Sequence, residues 1–136
     1  MSAGATPEMN AAELQAGLVQ SPGYRYAERV GQQLFVAGQV PLDGDGDLVG
    51  PDDPAAQAVA CLENLRTLLG VHGCSVADVR QLTIHVVGPH QHLLDAWAAV
   101  RDWFDGSVPP ATLLGAHLLG FGGQLVEIDA TVITDG

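Results

Sequence analysis

Val79-Arg80-Gln81-Leu82-Thr83-Ile84-His85-Val86-Val87 lies between two helical stripes and alternates apolar with polar residues. Leu82, Ile84 and Val86 fall on one side and Thr83 and His85 on the other, the period-two pattern of a half-buried strand. Gly88-Pro89 ends it. Both flanks carry a different period. Upstream, Asp53-Pro54 starts a helix, because the carboxylate caps free amide groups and proline is tolerated at the first helical position. Ala55, Ala58, Val59, Leu62, Leu65 and Leu69 then recur at helical spacing, leaving Glu63, Arg66 and Thr67 largely outside, until Gly70 and Gly73 end the run. Downstream, Leu93, Ala96, Trp97, Val100 and Phe104 form a second helical stripe, which Gly106 and Pro109-Pro110 terminate.

Further out, residues 24–30 and 33–40 read as two strands joined by a tight turn at Gly31-Gln32. Residues 41–54 are rich in Gly, Asp and Pro and read as loop, with Leu48-Val49 as a short added strand. Two final strands, at about 111–119 and 124–133, flank a turn region at 120–123. The order is strands, helix, strand, helix, strands. It predicts an α+β fold, a mixed β-sheet with two helices packed on one face, and it excludes a Rossmann repeat. Residues 1–20 show little β-pattern, although 11–18 could form a short helix, and they read as an N-terminal extension on a domain spanning 21–136.

A length of 136 residues with 47% apolar residues fits one domain with a real core. No apolar run approaches the roughly 20 residues that a membrane span needs, so no membrane partner is expected. The segment 1–12 lacks a basic region followed by an apolar stretch, so it does not read as a secretory signal, and a cytoplasmic location is expected. The formal net charge is −11, and all five basic residues are arginines that form no run. Such a chain repels polyanions, and no nucleic-acid partner is expected. Absence of lysine excludes a lysine Schiff base and a phosphate-binding P-loop. Cys61 and Cys74 lack the spacing of a zinc or redox pair and read as reduced, structural thiols.

Asp43-Gly44-Asp45-Gly46-Asp47 begins like a calcium loop, but Leu48 stands where glycine is needed and Pro54 where a bidentate glutamate is needed. It reads as a structural turn. His90 and His92 are two apart at the start of a helix and point in different directions, so they read as first-turn solvent residues. His85 and His117 read as strand histidines, satisfied or exposed, and Trp97 and Trp103 as core aromatics. No metal and no cofactor is predicted. In Val126-Glu127-Ile128-Asp129-Ala130 the apolar residues alternate with acids, placing Glu127 and Asp129 on one face. By itself this pattern describes a solvent-facing strand side.

Several segments in order over about 21–133 resemble the RidA/YjgF family, also labelled the endoribonuclease L-PSP family. They are Tyr24…Ala27, Leu34-Phe35-Val36-Ala37-Gly38-Gln39, Gly46…Leu48-Val49-Gly50, Gln57…Asn64-Leu65, Val79, Pro109…Thr112 and Val126-Glu127-Ile128. The resemblance implies a chorismate-mutase-like fold, a homotrimer, and three clefts between adjacent subunits that take a small-molecule metabolite. Apolar residues on both faces of 113–119 are compatible with a sheet covered by neighbours.

In imine deaminases of that family an arginine in a Pro-Ala-Arg-Thr-like segment holds the substrate carboxylate, and a glutamate in the final strand helps position water. The products are a 2-oxo acid and ammonia. Carried over residue by residue, Glu127 matches the water-positioning glutamate and Tyr24 an aromatic lining the cleft. Gly38 follows a position where the family often has serine, here Ala37, and Thr112 matches the segment after the arginine. The arginine position itself is Ala111. A guanidinium clamp on a carboxylate contributes about 1.5–3 kcal/mol per hydrogen bond, and alanine contributes none. Standard 2-imino acid deamination is therefore not expected. Arg25 faces away from Tyr24 if both lie in one strand, and Arg101 reads as solvated on the second helix. What remains is a trimer that binds, and as a hydrolase of the imine or enamine type processes, a neutral or cationic metabolite, with Glu127 handling water. The alternatives are a non-catalytic ligand sensor or protein-interaction trimer, and an endoribonuclease.

Overall fold

A computed structural model describes residues 9–135. Its five-stranded sheet comprises β1 (Ala27–Val30), β2 (Gln33–Val36), β3 (Val79–Val87), β4 (Ala111–Ala116) and β5 (Val126–Ile133). The helices are α1 (Ala11–Gln15), α2 (Pro54–Val71) and α3 (His90–Trp103). The strand order is β1-β2-β5-β3-β4, antiparallel throughout except for the β3/β4 pair. That parallel pair is closed by α3 as a crossover, as parallel neighbours require. The α+β class expected from the alternating periods is the one observed.

Alternation dictates which side of the sheet is buried. Leu34, Leu82, Ile84, Val86, Val126, Ile128 and Val132 all point to the helix side, where Leu62, Leu65, Leu69 and Val100 meet them. On α2 the Asp53 carboxylate accepts from the Ala56 amide at 3.0 Å and Pro54 opens the first turn, as the cap predicts. Val59, assigned to the core stripe by spacing, is 39% exposed, whereas Gln57 and Leu68 are fully buried. Gln57 fits inside because its amide is fully used. It donates to the carbonyls of Gly50 (3.1 Å) and Gly123 (3.3 Å) and accepts from the Leu125 amide at 2.7 Å. Asn64, also on α2, donates to the Val40 and Leu42 carbonyls and ties the 41–54 loop to the helix.

The strand ends differ from expectation for identifiable reasons. The strand expected over 24–30 begins only at Ala27. Side chains take the backbone partners of the preceding segment: Asn10 and Ser21 both donate to the Tyr24 carbonyl, and the Tyr26 amide donates to Asn10 Oδ1 at 2.9 Å. The strand expected over 33–40 stops at Val36 and resumes as a single bridge between Gln39 and Ile128. Phe35 pairs with Thr131, so one extra residue lies on the β2 side, a bulge next to Gly38. Leu48 makes only an isolated bridge, to Leu42. The strand expected over 111–119 ends at Ala116, leaving His117 exposed in the following loop rather than on a strand.

Some side-chain readings also change. His92 is half-buried instead of solvent-facing, and its Nδ1 donates to the Val87 carbonyl at 3.0 Å. The Asp43 carboxylate accepts from the amides of Asp45 and Asp47, the geometry of a side-chain-closed turn. Trp103 packs on the core edge, with Arg66 lying 4.4 Å over its ring and its indole N–H donating to Glu63.

Residues 9–26 are attached to the domain. Asn10 sits in the left-handed region at φ 63° and is buried. Glu13, also buried, meets His72 Nε2 at 2.6 Å at the far end of α2. Leu18, Tyr26 and Leu68 form a small second core beneath this segment.

Candidate functional site

Because Val126 and Ile128 are fully buried, period-two geometry sends Glu127 and Asp129 to the sheet face away from the helices. The β2 bulge carries the chain directly over them. A Cβ added at Gly38 would lie 2.4 Å from Glu127 Oε2 and 2.6 Å from Asp129 Oδ1, so this close approach needs glycine. Glu127 Oε1 accepts from Gln124 Nε2 at 3.2 Å, and the same amide group donates to the Val126 carbonyl. Asp129 Oδ2 lies 2.9 Å from His85 Nε2 on the neighbouring strand, where His85 is also the register partner of Glu127.

A cavity of about 560 Å³ opens over this carboxylate. Glu127, Gly38, Ala37 and Tyr24 line it, and Pro22, Val40, Gly120 and Phe121 complete its wall. Tyr24 stands edge-on to Tyr26, with ring centroids 6.3 Å apart. Its phenol is held above the usual tyrosine range, first by burial and then by the Glu127 charge. The Cys61 thiol beneath the sheet is pushed well up by the same two causes in the same order. Glu127 is therefore felt on both sides of β5. Gln124 Nε2 donates to this carboxylate, and Pro22, Val40 and Phe121 give the cavity apolar walls.

The residues anticipated from the sequence thus divide. Tyr24, Ala37, Gly38 and Glu127 line one cavity. Ala111 and Thr112 do not join them. They lie exposed on the edge strand β4, where Thr112 pairs with Thr83 and Thr83 in turn with Asp129, two strand spacings or roughly 10 Å away. Among the described residues no arginine lines this cavity. Arg25 pairs with Glu28 at 2.9 Å, Arg101 is exposed, and Arg80 binds the Ile133 carbonyl and Asp135. Pro22, Phe121 and the His85–Asp129 pair were not singled out from the sequence. The Gly120–Gly123 turn region was the only hint that a loop returns to this face.

The model of the family described as Endoribonuclease L-PSP matches residues 17–134. The chain belongs to this family, the RidA/YjgF proteins. A RutC family protein of Pyrococcus abyssi is 33% identical over 63 residues, which is 46% of this chain and 50% of that relative. The chain thus spans about half the length of this relative. Among solved structures, a provisionally named endoribonuclease from Thermotoga maritima superposes with a TM-score of 0.78 at 25% identity, covering 89% of this chain and 94% of that one. The YjgF gene product of E. coli superposes with a TM-score of 0.76 at 21% identity, covering 88% and 94%. The RidA/YjgF match begins at residue 17, so α1 and Asn10 lie outside it.

Proposed function

We propose that this RidA/YjgF protein binds a small neutral or cationic metabolite in clefts completed by neighbouring copies of the chain, and that it hydrolyses a C=N bond there. The carrying observation is Glu127, a carboxylate beneath a cavity walled by Tyr24 and Gly38, with no arginine among the described lining residues of its own copy. Such a site disfavours an anionic ligand and favours a protonated imine. Water held by Glu127 would attack the imine carbon while Glu127 takes its proton. Glu127 returns that proton to the nitrogen of the resulting carbinolamine, and the C–N bond breaks as the hydroxyl loses its proton, giving a carbonyl compound and ammonium.

Two features support completion by a neighbour. Ala111 and Thr112 are exposed on the edge strand β4, off the cavity of their own copy and free to meet another, and the open sheet face exposes Val30, Phe35 and Leu114. A trimer accounts for both. Endonucleolytic chemistry is not proposed, because the net charge is −11 and none of the five arginines lines the cavity. Among the described residues the other titratable group on the cavity wall is Tyr24, whose phenol is held above the usual tyrosine range by burial and then by the Glu127 charge, and this favours, as a second reading, a ligand sensor without turnover.

Ammonia release from a panel of imines and enamines, measured for the parent chain and Glu127→Gln, tests the reading. Loss of the base lowers turnover by about 10²–10⁴-fold. Unchanged turnover in Glu127→Gln removes the residue from the chemistry, and ligand-induced stabilisation without turnover selects the sensor. Tight binding of 2-oxobutanoate would contradict the neutral or cationic ligand.

A further inference from the structure

Beside the carboxylate cleft lies a second, smaller hollow of about 200 Å³. Pro22, Tyr24, Val40 and Phe121 are walls of both, and Val19 and Leu42 extend the smaller one away from Glu127. Its polar rim is already committed. Gln20 Oε1 accepts from Asn10 and from the Ser21 amide, the Ser21 hydroxyl donates to the Tyr24 carbonyl, and the Tyr26 hydroxyl donates to the Val19 carbonyl at 2.6 Å. A ligand group entering it thus meets Val, Leu, Pro and aromatic surface, with no charge and few free hydrogen-bonding partners. An apolar cavity of ~150 Å³ is enough for a benzene ring.

One end of this composite site is anionic and the other apolar, with the rings of Tyr24 and Phe121 between them. We propose that the smaller hollow is a specificity subsite, and that the ligand is a primary amine or iminium ion bearing a phenyl-sized or pentyl-sized apolar substituent. The cation meets Glu127 while the substituent passes the Tyr24 and Phe121 edges into the hollow between Val19 and Leu42. The inference rests on the cleft reading above, since the position of the head group at Glu127 determines which hollow the substituent reaches. It adds a requirement that the cleft alone does not impose, namely that affinity grows with apolar size.

Calorimetric titration of the full chain with n-propylamine through n-hexylamine, benzylamine, hexanoate and hexanol tests it. Affinity is expected to rise by about fourfold per methylene along the amines. Hexanoate is expected to bind at least about tenfold more weakly than hexylamine. Val19→Phe and Leu42→Phe fill the hollow from different sides. In each variant that retains the parent circular dichroism spectrum, the rise beyond propylamine should vanish, and two variants guard against one failing to fold. Glu127→Gln should erase the preference for amine over alcohol yet keep the chain-length slope. Amines that bind in a Glu127-dependent way with no chain-length slope overturn the subsite and leave the cleft reading standing. If no amine of any length binds, both are overturned. Hexanoate binding as tightly as hexylamine overturns the cationic ligand class.

Discussion

Asn10 is the residue through which a segment outside the family match should control both stability and the cleft. Its amide group donates to Gln20 Oε1, Ser21 Oγ and the Tyr24 carbonyl at 3.0–3.1 Å, and its Oδ1 accepts from the buried Tyr26 amide at 2.9 Å. In Asn10→Ala the Tyr26 N–H is left inside without a partner, a penalty of about 1–3 kcal/mol. The Tyr24 carbonyl keeps its bond from the Ser21 hydroxyl and adds little. Position 10 also sits at φ 63°, where alanine costs about 1–2 kcal/mol. The sum for Asn10→Ala is about 2–5 kcal/mol, a large share of a domain's usual net stability. Asn10→Gly removes the same bonds but accepts the backbone angle, so it should be milder by about 1 kcal/mol. Urea unfolding at one fixed protein concentration, needed for any chain that assembles, measures both variants. Because the same bonds hold the loop bearing Pro22 and Tyr24, ligand affinity should fall with stability. An Asn10→Ala variant within about 0.5 kcal/mol of the parent would refute the reasoning and mean that these bonds of Asn10 add little to the stability of the domain.

Gly38→Ala should leave the fold intact, since the atoms met by the new Cβ are the ends of two flexible carboxylates. It should displace Glu127 and Asp129, so that ligand affinity drops about tenfold or more with little change in the unfolding midpoint. Equal affinity would show that the carboxylates do not contact ligand. Burial, then Tyr24 and then Glu13, push the Tyr26 phenol up to about 12. An unfolded tyrosine titrates near 10, so between about pH 10 and 12 the native chain holds a proton that the unfolded chain has lost. Stability from this group is intact below pH 10 and is lost as pH rises through 12. Urea midpoints should fall across that window in the parent and less steeply in Tyr26→Phe, and a flat parent profile would contradict the assignment. Cys61 is fully buried with its thiol pKa raised, so iodoacetamide should modify it only after denaturation. Labelling of native Cys61 at the rate of a free thiol would mean that the sheet opens readily beneath Glu127.

How much of this was legible in the sequence depended on how far apart the cooperating residues lie. The two long helices and the strands β3 and β5 bury one side each, and burial writes its period directly into the chain, so Leu82, Ile84 and Val86, or Val126 and Ile128, announce their face without help. Strand ends are decided elsewhere. Tyr24 is kept out of β1 by an asparagine whose bond to Tyr26 spans 16 residues, and β2 breaks at a bulge that makes room for carboxylates of another strand. No local pattern carries that information. The candidate site follows the same division: alternation aimed Glu127 at the open face, whereas its meeting with Gly38 and Tyr24 came only through family resemblance, and Phe121 came through neither. The strand order β5-β3-β4 adds a constraint that chain order hides, because it sets β3, with His85 bound to Asp129, between Glu127 and the segment around Ala111. In the assembly proposed above, alanine at 111 therefore alters the cleft of a neighbouring copy. The acidity of a chain's own cavity comes from Glu127 and the adjoining Asp129, and in the function proposed above that acidity would select the ligand.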